Sequence, residues 1–512
     1  MKPGQCRCRH SRLPALELYG CTFGSGIGLG RPPSKFDLVQ CRNGVLTKMT
    51  ILSRRLLALL VATLVSTNAM AGLPVIPGGT SFGIDTSAGR GGKIYRVTNL
   101  NATGYGSLYE CAAASGARTC VFEVSGVIRL TSDLHIRNPY LTIAGQTAPA
   151  PGIMIRGAGL AIRTSNVLVQ HISVRPGDDP TGPALDSRDA LKFIAPTSGA
   201  ITNVVIDHCS FSWSTDEVMD LWDASDNITL SNNIFSEPLK ESLHPKGSHD
   251  YAALLSPNTG RVSFVGNLFA HATDRNPRTA AAQFVFVNNV VYNYGQTGAF
   301  LFTKGSGTEN SLVGNVFIKG PSSSLQAATI RLDGGETSIV SGTKIFLKDN
   351  IGHRPDGTAG TSDPWSLVNN GSGLSRAVLE AMSPPTWPND LVAQSTANDK
   401  VLTNVLANAG SRPAQRSAVD ARIVGQVQTR TGRMVNCVAN DGTSRCAANA
   451  GGWPNYAQNQ RALDLPSNPN GDDDGDGYTN IEEWLHEMAA DVEGGASVAG
   501  ESRPKPPVMS VE

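Results

Sequence analysis

The sequence predicts an all-β fold, a right-handed single-stranded parallel β-helix with a C-terminal extension. The first observation is a series of short β-branched runs between residues 72 and 355, separated by Gly, Asn, Asp and Ser, as strands are separated by turns. The second is an Asn followed by two apolar residues in each later run, at positions 233, 267, 289, 315 and 350. The intervals of 34, 22, 26 and 35 residues fit solenoid coils in the low twenties with insertions.

The recurring Asn has a physical reason in such a fold. At a bend between two sheets Asn tolerates a left-handed backbone, and its amide can bond to the same amide one coil away. A ladder of this kind satisfies polar groups buried along the stack. Insertions should emerge as loops on one face, where functional residues concentrate, and the longest candidates are 175–190, 236–260 and 294–311.

The N-terminal region has the pattern of an export signal. Residues 49–71 join a basic start, an apolar run over 56–65 and a small-residue cleavage pattern at 69–71, which predicts a cleaved signal peptide. The apolar run is too short for a membrane anchor. Residues 1–48 are expected to be a non-native extension upstream of that signal. We therefore predict a secreted protein, in the periplasm or outside the cell, with no membrane contact after cleavage.

Charge and cysteine content fit an exported monomer. Lys plus Arg and Asp plus Glu both number 43, so the chain has no electrostatic footprint for nucleic acid. Two close pairs, Cys111 with Cys120 and Cys437 with Cys446, predict local disulfides in an oxidising compartment. Cys209 lies in an apolar strand and is expected to be a buried thiol.

Beyond residue 355 the strand pattern lapses. Residues 356–465 are expected to wrap along the β-helix, with short helices over 375–382 and 417–428. Residues 466–490 contain a loop with acids at 472, 474, 476 and 483 and a glycine at 477, which matches the EF-hand spacing. We expect this loop to bind structural calcium through Asp472, Asp474, Asp476 and Glu483, with a short helix following it. Residues 491–512 are expected to be a disordered tail.

Charged residues concentrate between residues 186 and 278. Asp189, Asp216 and Asp220 come from successive predicted coils, and Lys240 and Arg275 follow on the next ones. Residues one coil apart stack, so acids should form a column beside cations. Such carboxylates suit a hard divalent cation such as Ca²⁺ and repel each other without one.

Three segments carry a resemblance to a known family. The run 91–108, the strand 205–213 and the segment 275–278 resemble the first coil, the "WIDH" strand and the Arg-x-Pro-x-x-Arg signature of pectate lyases, polysaccharide lyase family 1 of the pectin lyase-like superfamily. The last motif is one residue shorter in this chain. The resemblance covers residues 72–355 and implies a calcium-dependent lyase that cleaves α-1,4-linked polygalacturonate, or pectin, by β-elimination.

The resemblance also implies roles for individual residues. Asp189, Asp216 and Asp220 match acidic calcium ligands, although Ser187 stands where the family often has a further Asp and Asp186 would have to substitute. A second set matches groups that handle the substrate: Lys240 binds substrate, Arg275 is the catalytic arginine and Arg278 binds a substrate carboxylate. Arg275 is either the base that removes the C5 proton or a carboxylate clamp. His208 is interpreted as structural, and Lys246 as a loop surface residue able to reach a sugar carboxylate.

Three alternatives remain open on the sequence. A polygalacturonase-type hydrolase needs paired carboxylates, and Asp178-Asp179 in a Gly-Pro loop fits that role poorly. A calcium-independent pectin lyase is disfavoured by the three aspartates but kept open by Ser187. A non-catalytic glycan-binding β-helix is disfavoured by the basic column beside the acids.

Overall fold

The computed structural model describes residues 72–494 except 198, 243 and 334–338. The predicted extension 1–48, the predicted signal peptide 49–71 and residues 495–512 of the predicted tail lie outside the described residues. Within that described part, no helix is long and apolar enough to cross a membrane.

Three parallel sheets run the length of the domain, and each coil passes through sheet I, sheet II and sheet III in turn. Sheet I contains β1 Lys93–Val97, β2 Arg118–Phe122, β5 Leu141–Ala144, β8 Val167–Gln170, β11 Ile201–Asp207, β14 Ser225–Ser231, β17 Arg261–Val265, β20 Gln283–Val287, β23 Glu309–Val313 and β26 Lys344–Lys348. Sheet II contains β3 Gly126–Arg129, β6 Ile153–Arg156, β9 Ile172–Arg175, β12 Ser210–Ser212, β15 Ile234–Ser236, β18 Leu268–Ala270, β21 Val290–Tyr292 and β24 Val316–Ile318. Sheet III contains β4 Leu134–Ile136, β7 Leu160–Ile162, β10 Leu191–Phe193, β13 Glu217–Leu221, β16 Tyr251–Leu255, β19 Arg278–Thr279, β22 Thr297–Leu301, β25 Ala328–Leu332 and β27 Val368–Asn370. The predicted fold class is confirmed.

The asparagine ladder forms at the bend between sheets I and II. The Asn233 side-chain amide donates to Asn267 Oδ1 at 3.0 Å, and Asn267 donates in the same way to Asn289 at 2.9 Å. Asn289 and Asn315 continue the chain of bonds to the next coil each time. The left-handed backbone predicted for each ladder Asn is found instead at the residue before it, for example at Asn288 with φ 54°.

The apolar interior is built from inward-facing aliphatic and aromatic residues of all three sheets. Phe235 stacks on Phe211 at 5.5 Å and on Phe269 at 5.0 Å between ring centroids. These rings come from β12, β15 and β18, so identical positions of successive coils pack on one another. Stacked coils therefore hold their register through side chains as well as through backbone bonds.

Five helices accompany the sheets in the described residues: α1 Leu108–Ala113, α2 Arg376–Leu379, α3 Lys400–Asn408, α4 Ala418–Thr429 and α5 Asn480–Glu493. The helix predicted over 417–428 corresponds to α4, whereas the one predicted over 375–382 is only the single turn α2. Helix α5 continues to Glu493, into the segment predicted as a tail from residue 491. Its capping box, Thr479 with Glu482, fixes its start.

The outer faces of sheets I and II are covered. Helices α3 and α4 pack Val401, Val405 and Ile423 against outward residues of sheet II such as Leu268 and Val290. Residues near 75–88 and 387–393 cover parts of sheet I, and α5 packs on its first strands. The central part of sheet III, between β10 and β22, carries none of these layers and bears the cleft described below.

The sheets also extend further than the boundary at residue 355. Strand β27 pairs in parallel with β25, with Ile330 beside Val368. The sequence pattern misses it because β27 is short and is preceded by a loop and a 3₁₀ turn at Pro364–Leu367. Both predicted disulfides, Cys111–Cys120 and Cys437–Cys446, are present, and Cys209 is a buried free thiol.

Candidate active site

A cleft of about 540 Å³ lies on the outer face of sheet III. Its walls come from β13, β16, β19 and the loops that follow β12, β13, β15, β16, β18 and β22. The lining residues are Asp216, Glu217, Asp220, Trp222, Lys246, His249, Leu254, Pro257, Arg275, Arg278, Phe302 and Lys304. The three acids lie on or beside β13, Arg278 and Lys304 lie toward β22, and Arg275 contacts the acids.

Strand register explains this division. Asp220 of β13 stands beside Lys192 of β10 and beside Leu254 of β16. Leu254 stands in turn beside Arg278 of β19, which stands beside Phe300 of β22. Parallel strands repeat this level at a spacing of about 4.8 Å, so the acid and the arginine lie two coils apart on one face.

The acidic end is built around Asp189, Asp216 and Glu217. One oxygen from each lies within 4.8 Å of those of the other two. Asp189 is buried and accepts a hydrogen bond at 3.0 Å from the Glu217 backbone N–H. Burial, and then repulsion from Asp216 and Asp220, raises the pKa of Asp189 well above its ordinary value, although Lys192 at 3.5 Å opposes the shift.

Asp220 adds an unsatisfied oxygen to this end. Its Oδ1 is buried and has no hydrogen-bond partner among the described residues. Burial, followed by repulsion from Asp216, raises the pKa of Asp220 to about 7. A buried carboxylate oxygen without a donor is costly, so this group favours a bound cation.

Arg275 faces the acids from the loop before β19. Its backbone is left-handed, with φ 59°, and its guanidinium lies 4.1 Å from the centre of the Tyr251 ring. The same guanidinium forms an ion pair with Glu217. Burial, and then the neighbouring charge of Arg278, lowers the pKa of Arg275 to about 10.

Arg278 lies near Arg275 and packs against two aromatic rings. Its guanidinium lies 4.6 Å from the ring centres of both Phe300 and Phe302, and 3.7 Å from an Asp333 oxygen. Cation–π contacts with two rings hold the planar group in one orientation. The arginine is therefore presented to the cleft as a fixed cation.

Two buried histidines lie beside Asp216 at the acidic end, and the sequence analysis does not predict a role for either. The rings of His244 and His249 stack with centroids 4.0 Å apart. His249 Nε2 lies 2.7 Å and His244 Nε2 3.5 Å from the same oxygen of Asp216. The available signal was their position in the predicted insertion 236–260. Glu217 was missed similarly, because the resemblance singled out its neighbour Asp216.

The structure brings together most of the residues predicted for the site. Asp216, Asp220, Arg275 and Arg278 line the cleft, and Asp189 adjoins it from β10. Lys240 is not among the lining residues. Its backbone N–H donates to Val435 at 2.8 Å, so this part of the insertion runs along the C-terminal segment.

Lys246, from the same insertion, is among the lining residues of the cleft. The loop returns toward sheet III at His249, whose backbone N–H donates to the Lys240 carbonyl at 2.9 Å, and this turn brings Lys246 forward. The number of residues between Asp220 and Lys240 does not show how the inserted loop runs in space. Asp186, considered as a substitute for the acid missing at Ser187, is exposed and outside the acidic cluster.

The EF-hand-like loop brings its acids together at the surface. One oxygen each of Asp472, Asp474 and Asp476 lies within 4.8 Å of the others. Asp472 accepts backbone bonds from Gly475 at 2.7 Å and Gly477 at 3.1 Å, and Gly477 adopts φ 98°, which favours glycine. Burial and the charges of the three aspartates raise the pKa of Glu483.

The chain is similar in sequence to fungal proteins over most of its length. The chain is 30% identical over 442 residues to the probable pectate lyase C of Aspergillus fumigatus, covering 84% of this chain and 97% of the relative. It is 29% identical over 446 residues to the probable pectate lyase C of Aspergillus flavus, covering 85% and 98%. Among solved structures, a thermostable pectate lyase covers 65% of this chain and 94% of its own at 17% identity, with a TM-score of 0.44. No family model matches the chain.

Proposed function

The chain belongs to the pectate lyase family, and we propose that it is a secreted, calcium-dependent enzyme that cleaves α-1,4-linked polygalacturonate by β-elimination. One observation carries this proposal. An open cleft places crowded carboxylates, one of them with an unsatisfied buried oxygen, opposite Arg275 and Arg278. A polyuronate needs the same pairing, a cation for its carboxylates and a base for the proton beside them.

The acids fit calcium by their chemistry. They offer only oxygen donors, as Ca²⁺ prefers, and Oδ1 of Asp220, which is buried without a hydrogen-bond partner among the described residues, would gain one from a bound cation. Asp189, Asp216 and Asp220 would hold the ion. When bound, calcium would neutralise a substrate carboxylate and acidify the neighbouring C5 proton. Glu217 is reserved for Arg275, with which it forms an ion pair.

Basic residues of the cleft would bind the polymer and remove the proton. Arg278 and Lys246 line the cleft and would hold carboxylates of the bound polymer. Arg275 would accept the C5 proton; the C–H electron pair then forms the C4–C5 double bond as the C4–O bond breaks, and the leaving oxygen is protonated by solvent. The pKa of Arg275, lowered to about 10 by burial and by Arg278, brings the neutral base closer to accessible pH than in a free guanidinium, so activity should rise into the alkaline range.

The remaining predicted features belong to the same proposal. Asp472, Asp474, Asp476 and Glu483 would bind a second, structural calcium that orders the start of α5. Residues 49–71 would direct export and be removed, so that the working protein begins after the leader. Mass spectrometry of the exported protein would give its first residue. A monomer acting on a soluble polymer requires no protein or nucleic-acid partner.

The decisive experiment is a product assay on polygalacturonate with calcium, with EDTA, and with calcium restored. We expect new chain ends that absorb in the ultraviolet because of the double bond, with activity lost in EDTA and regained with calcium. Chain ends without that absorbance would indicate a hydrolase. The Asp178-Asp179 pair does not favour that outcome, because Asp179 is bound by Arg156 at 2.7 Å. EDTA-resistant activity on methyl-esterified pectin would indicate a calcium-independent lyase, and no cleavage a glycan-binding protein.

A further inference from the structure

Two histidines occupy consecutive coils at the bend between sheets I and II. His171 and His208 both adopt a left-handed backbone, with φ 57° and 46°. The coils that follow place Asn232, Gly266 and Asn288 at this position, and Asn and Gly tolerate that conformation well. The imidazole rings stack with centroids 5.1 Å apart. The chain thus departs from its small-residue pattern at the two positions where these imidazole rings meet.

Helix α5 brings a carboxylate to the same place. Glu493, its last residue, lies with Oε1 3.3 Å from His171 Nε2 and 3.6 Å from His208 Nδ1. Asp207 Oδ2 lies 2.8 Å from His208 Nδ1. One nitrogen or oxygen from each of these four residues lies within 4.8 Å of all the others. The four residues come from β11, two bends and a helix far along the chain.

We propose that His171, Asp207, His208 and Glu493 form a binding site for a first-row divalent transition-metal ion, Zn²⁺ foremost. Two imidazole nitrogens and two carboxylate oxygens are a donor set that such ions accept in tetrahedral geometry. The two carboxylates balance the charge of a divalent ion. The site differs in chemistry from the all-oxygen cleft and from the EF-hand-like loop, both of which suit calcium.

The second ring nitrogen of His171 is held from outside the cluster, which leaves Nε2 to face the other three residues. Its Nδ1 lies 2.9 Å from the Ser411 carbonyl oxygen, and because a carbonyl can only accept, Nδ1 carries the proton. Metal-binding histidines commonly donate their second nitrogen in this way. The His171 side chain is 0% exposed, and its Nε2 makes no hydrogen bond of good geometry with any described residue despite the nearby Glu493. A buried nitrogen is therefore directed into the cluster.

Asp207 is held in place by groups outside the cluster. Ser231 donates to its Oδ1 at 2.7 Å, and Gln170 donates to its Oδ2 at 3.1 Å. Hydrogen bonds of this kind fix the orientation of ligating carboxylates. A metal here would fasten the end of α5 to coils that β8 and β11 begin. This role is independent of the lyase reaction, because the cleft lies on sheet III.

The test is a calorimetric titration of the purified mature chain with Zn²⁺ in excess calcium, so that the oxygen-only sites are already filled. We expect one tight equivalent in the wild type. Glu493→Gln removes a ligand. It should weaken Zn²⁺ binding by about 100-fold, because losing a residue that only supports a ligand already costs up to about that factor. Asp491→Asn is the matched control, because it makes the same change at an exposed position of the same helix and should bind as the wild type does.

His208→Asn provides a second variant that keeps the backbone conformation, since Asn232 adopts it one coil later. It should also lose the tight equivalent. Retained lyase activity in each variant shows that the protein is folded, because none of these residues lines the cleft. No Zn²⁺ binding by the wild type in excess calcium, or equally tight binding by Glu493→Gln, would overturn the proposal and leave a metal-free cluster of ion pairs.

Discussion

Buried charges on the covered face of sheet II have partners from the C-terminal segment, whereas the open face of sheet III leaves a buried carboxylate oxygen without a hydrogen-bond donor among the described residues. Under the C-terminal segment, Arg175 pairs with Asp420 at 2.7 Å, and Glu237 accepts from Arg422 at 2.6 and 2.7 Å. In the cleft, Asp220 keeps a buried oxygen without a donor among the described residues. Stacked coils thus supply charges on both faces, and on the covered face the C-terminal segment supplies their partners.

The pKa values show the consequence. Burial raises the pKa of Glu237, but its bonds to Arg422 outweigh burial and the pKa lies below its ordinary value. The pKa of Asp220 is instead raised to about 7, because burial and Asp216 act in the same direction. The covered face uses charge to hold the fold together, whereas the cleft keeps one buried carboxylate oxygen, Oδ1 of Asp220, that a bound cation would satisfy.

Replacing the cleft arginine should give the largest effect and leave stability unchanged. Arg275→Lys keeps a cation but loses the planar group that contacts both Tyr251 and Glu217. We expect kcat to fall by about 100- to 10,000-fold, the usual contribution of a positioned base, with an unchanged melting temperature. Arg137→Lys is the control, because Arg137 is exposed just after β4 of the same sheet and does not line the cleft. A variant with more than a tenth of the wild-type kcat would remove Arg275 from the role of base.

The converse holds on the covered face. Glu237→Gln leaves Arg422 without its charged partner and should lower the free energy of unfolding by about 3 kcal/mol, the lower end for a broken buried pair. Activity at low temperature should be unchanged. Glu380→Gln breaks the exposed pair with Arg376 and should cost about 0.5 kcal/mol or less. Chemical denaturation of the three proteins measures both values, and equal losses would show that burial of the Glu237 pair does not matter.

The Glu237 difference should also depend on pH. Its folded pKa is lowered from an ordinary value of 4.5, so its stabilising contribution is present above pH 4.5 and is lost as pH falls through the folded pKa. The gap between wild type and Glu237→Gln should therefore be constant from pH 7 to 5 and shrink in more acidic solution. A gap that persists unchanged to the lowest pH at which both fold would assign it to packing rather than charge.

Neutralising a cleft acid should have the opposite sign on stability. In EDTA at pH 8, Asp220→Asn removes a crowded buried charge and should raise the free energy of unfolding by about 1–2 kcal/mol. In calcium the order should reverse, because the wild type gains the free energy of binding the ion. Thermal unfolding with and without calcium measures this crossover. A variant less stable than the wild type in both solutions would show that Asp220 is a structural group and not a calcium ligand.

The sequence predicts those features that repeat with the coil and misses those that depend on the path of an insertion. The ladder from Asn233 to Asn350 and the three cleft acids from Asp189 to Asp220 follow from periodicity and from residue types that one bend or one cation requires. His249 is not predicted because it meets Asp216 only when the 236–260 loop folds back, and Glu217 is not predicted because its partner Arg275 comes from a loop two coils away. Helix α3 is not predicted either, because its apolar residues pack against sheet II and do not repeat with the coil.

The smallest predicted effect separates the two lysines of that loop. Lys246 lines the cleft, whereas Lys240 lies where its backbone bonds to Val435. Lys246→Ala should raise KM for polygalacturonate by about 10-fold, the equivalent of about 1.4 kcal/mol for one lost charge contact, with kcat little changed. Lys240→Ala should leave KM near the wild-type value. If the two effects are exchanged, the chain follows the spacing of its family and the loop adopts a different path when substrate is bound.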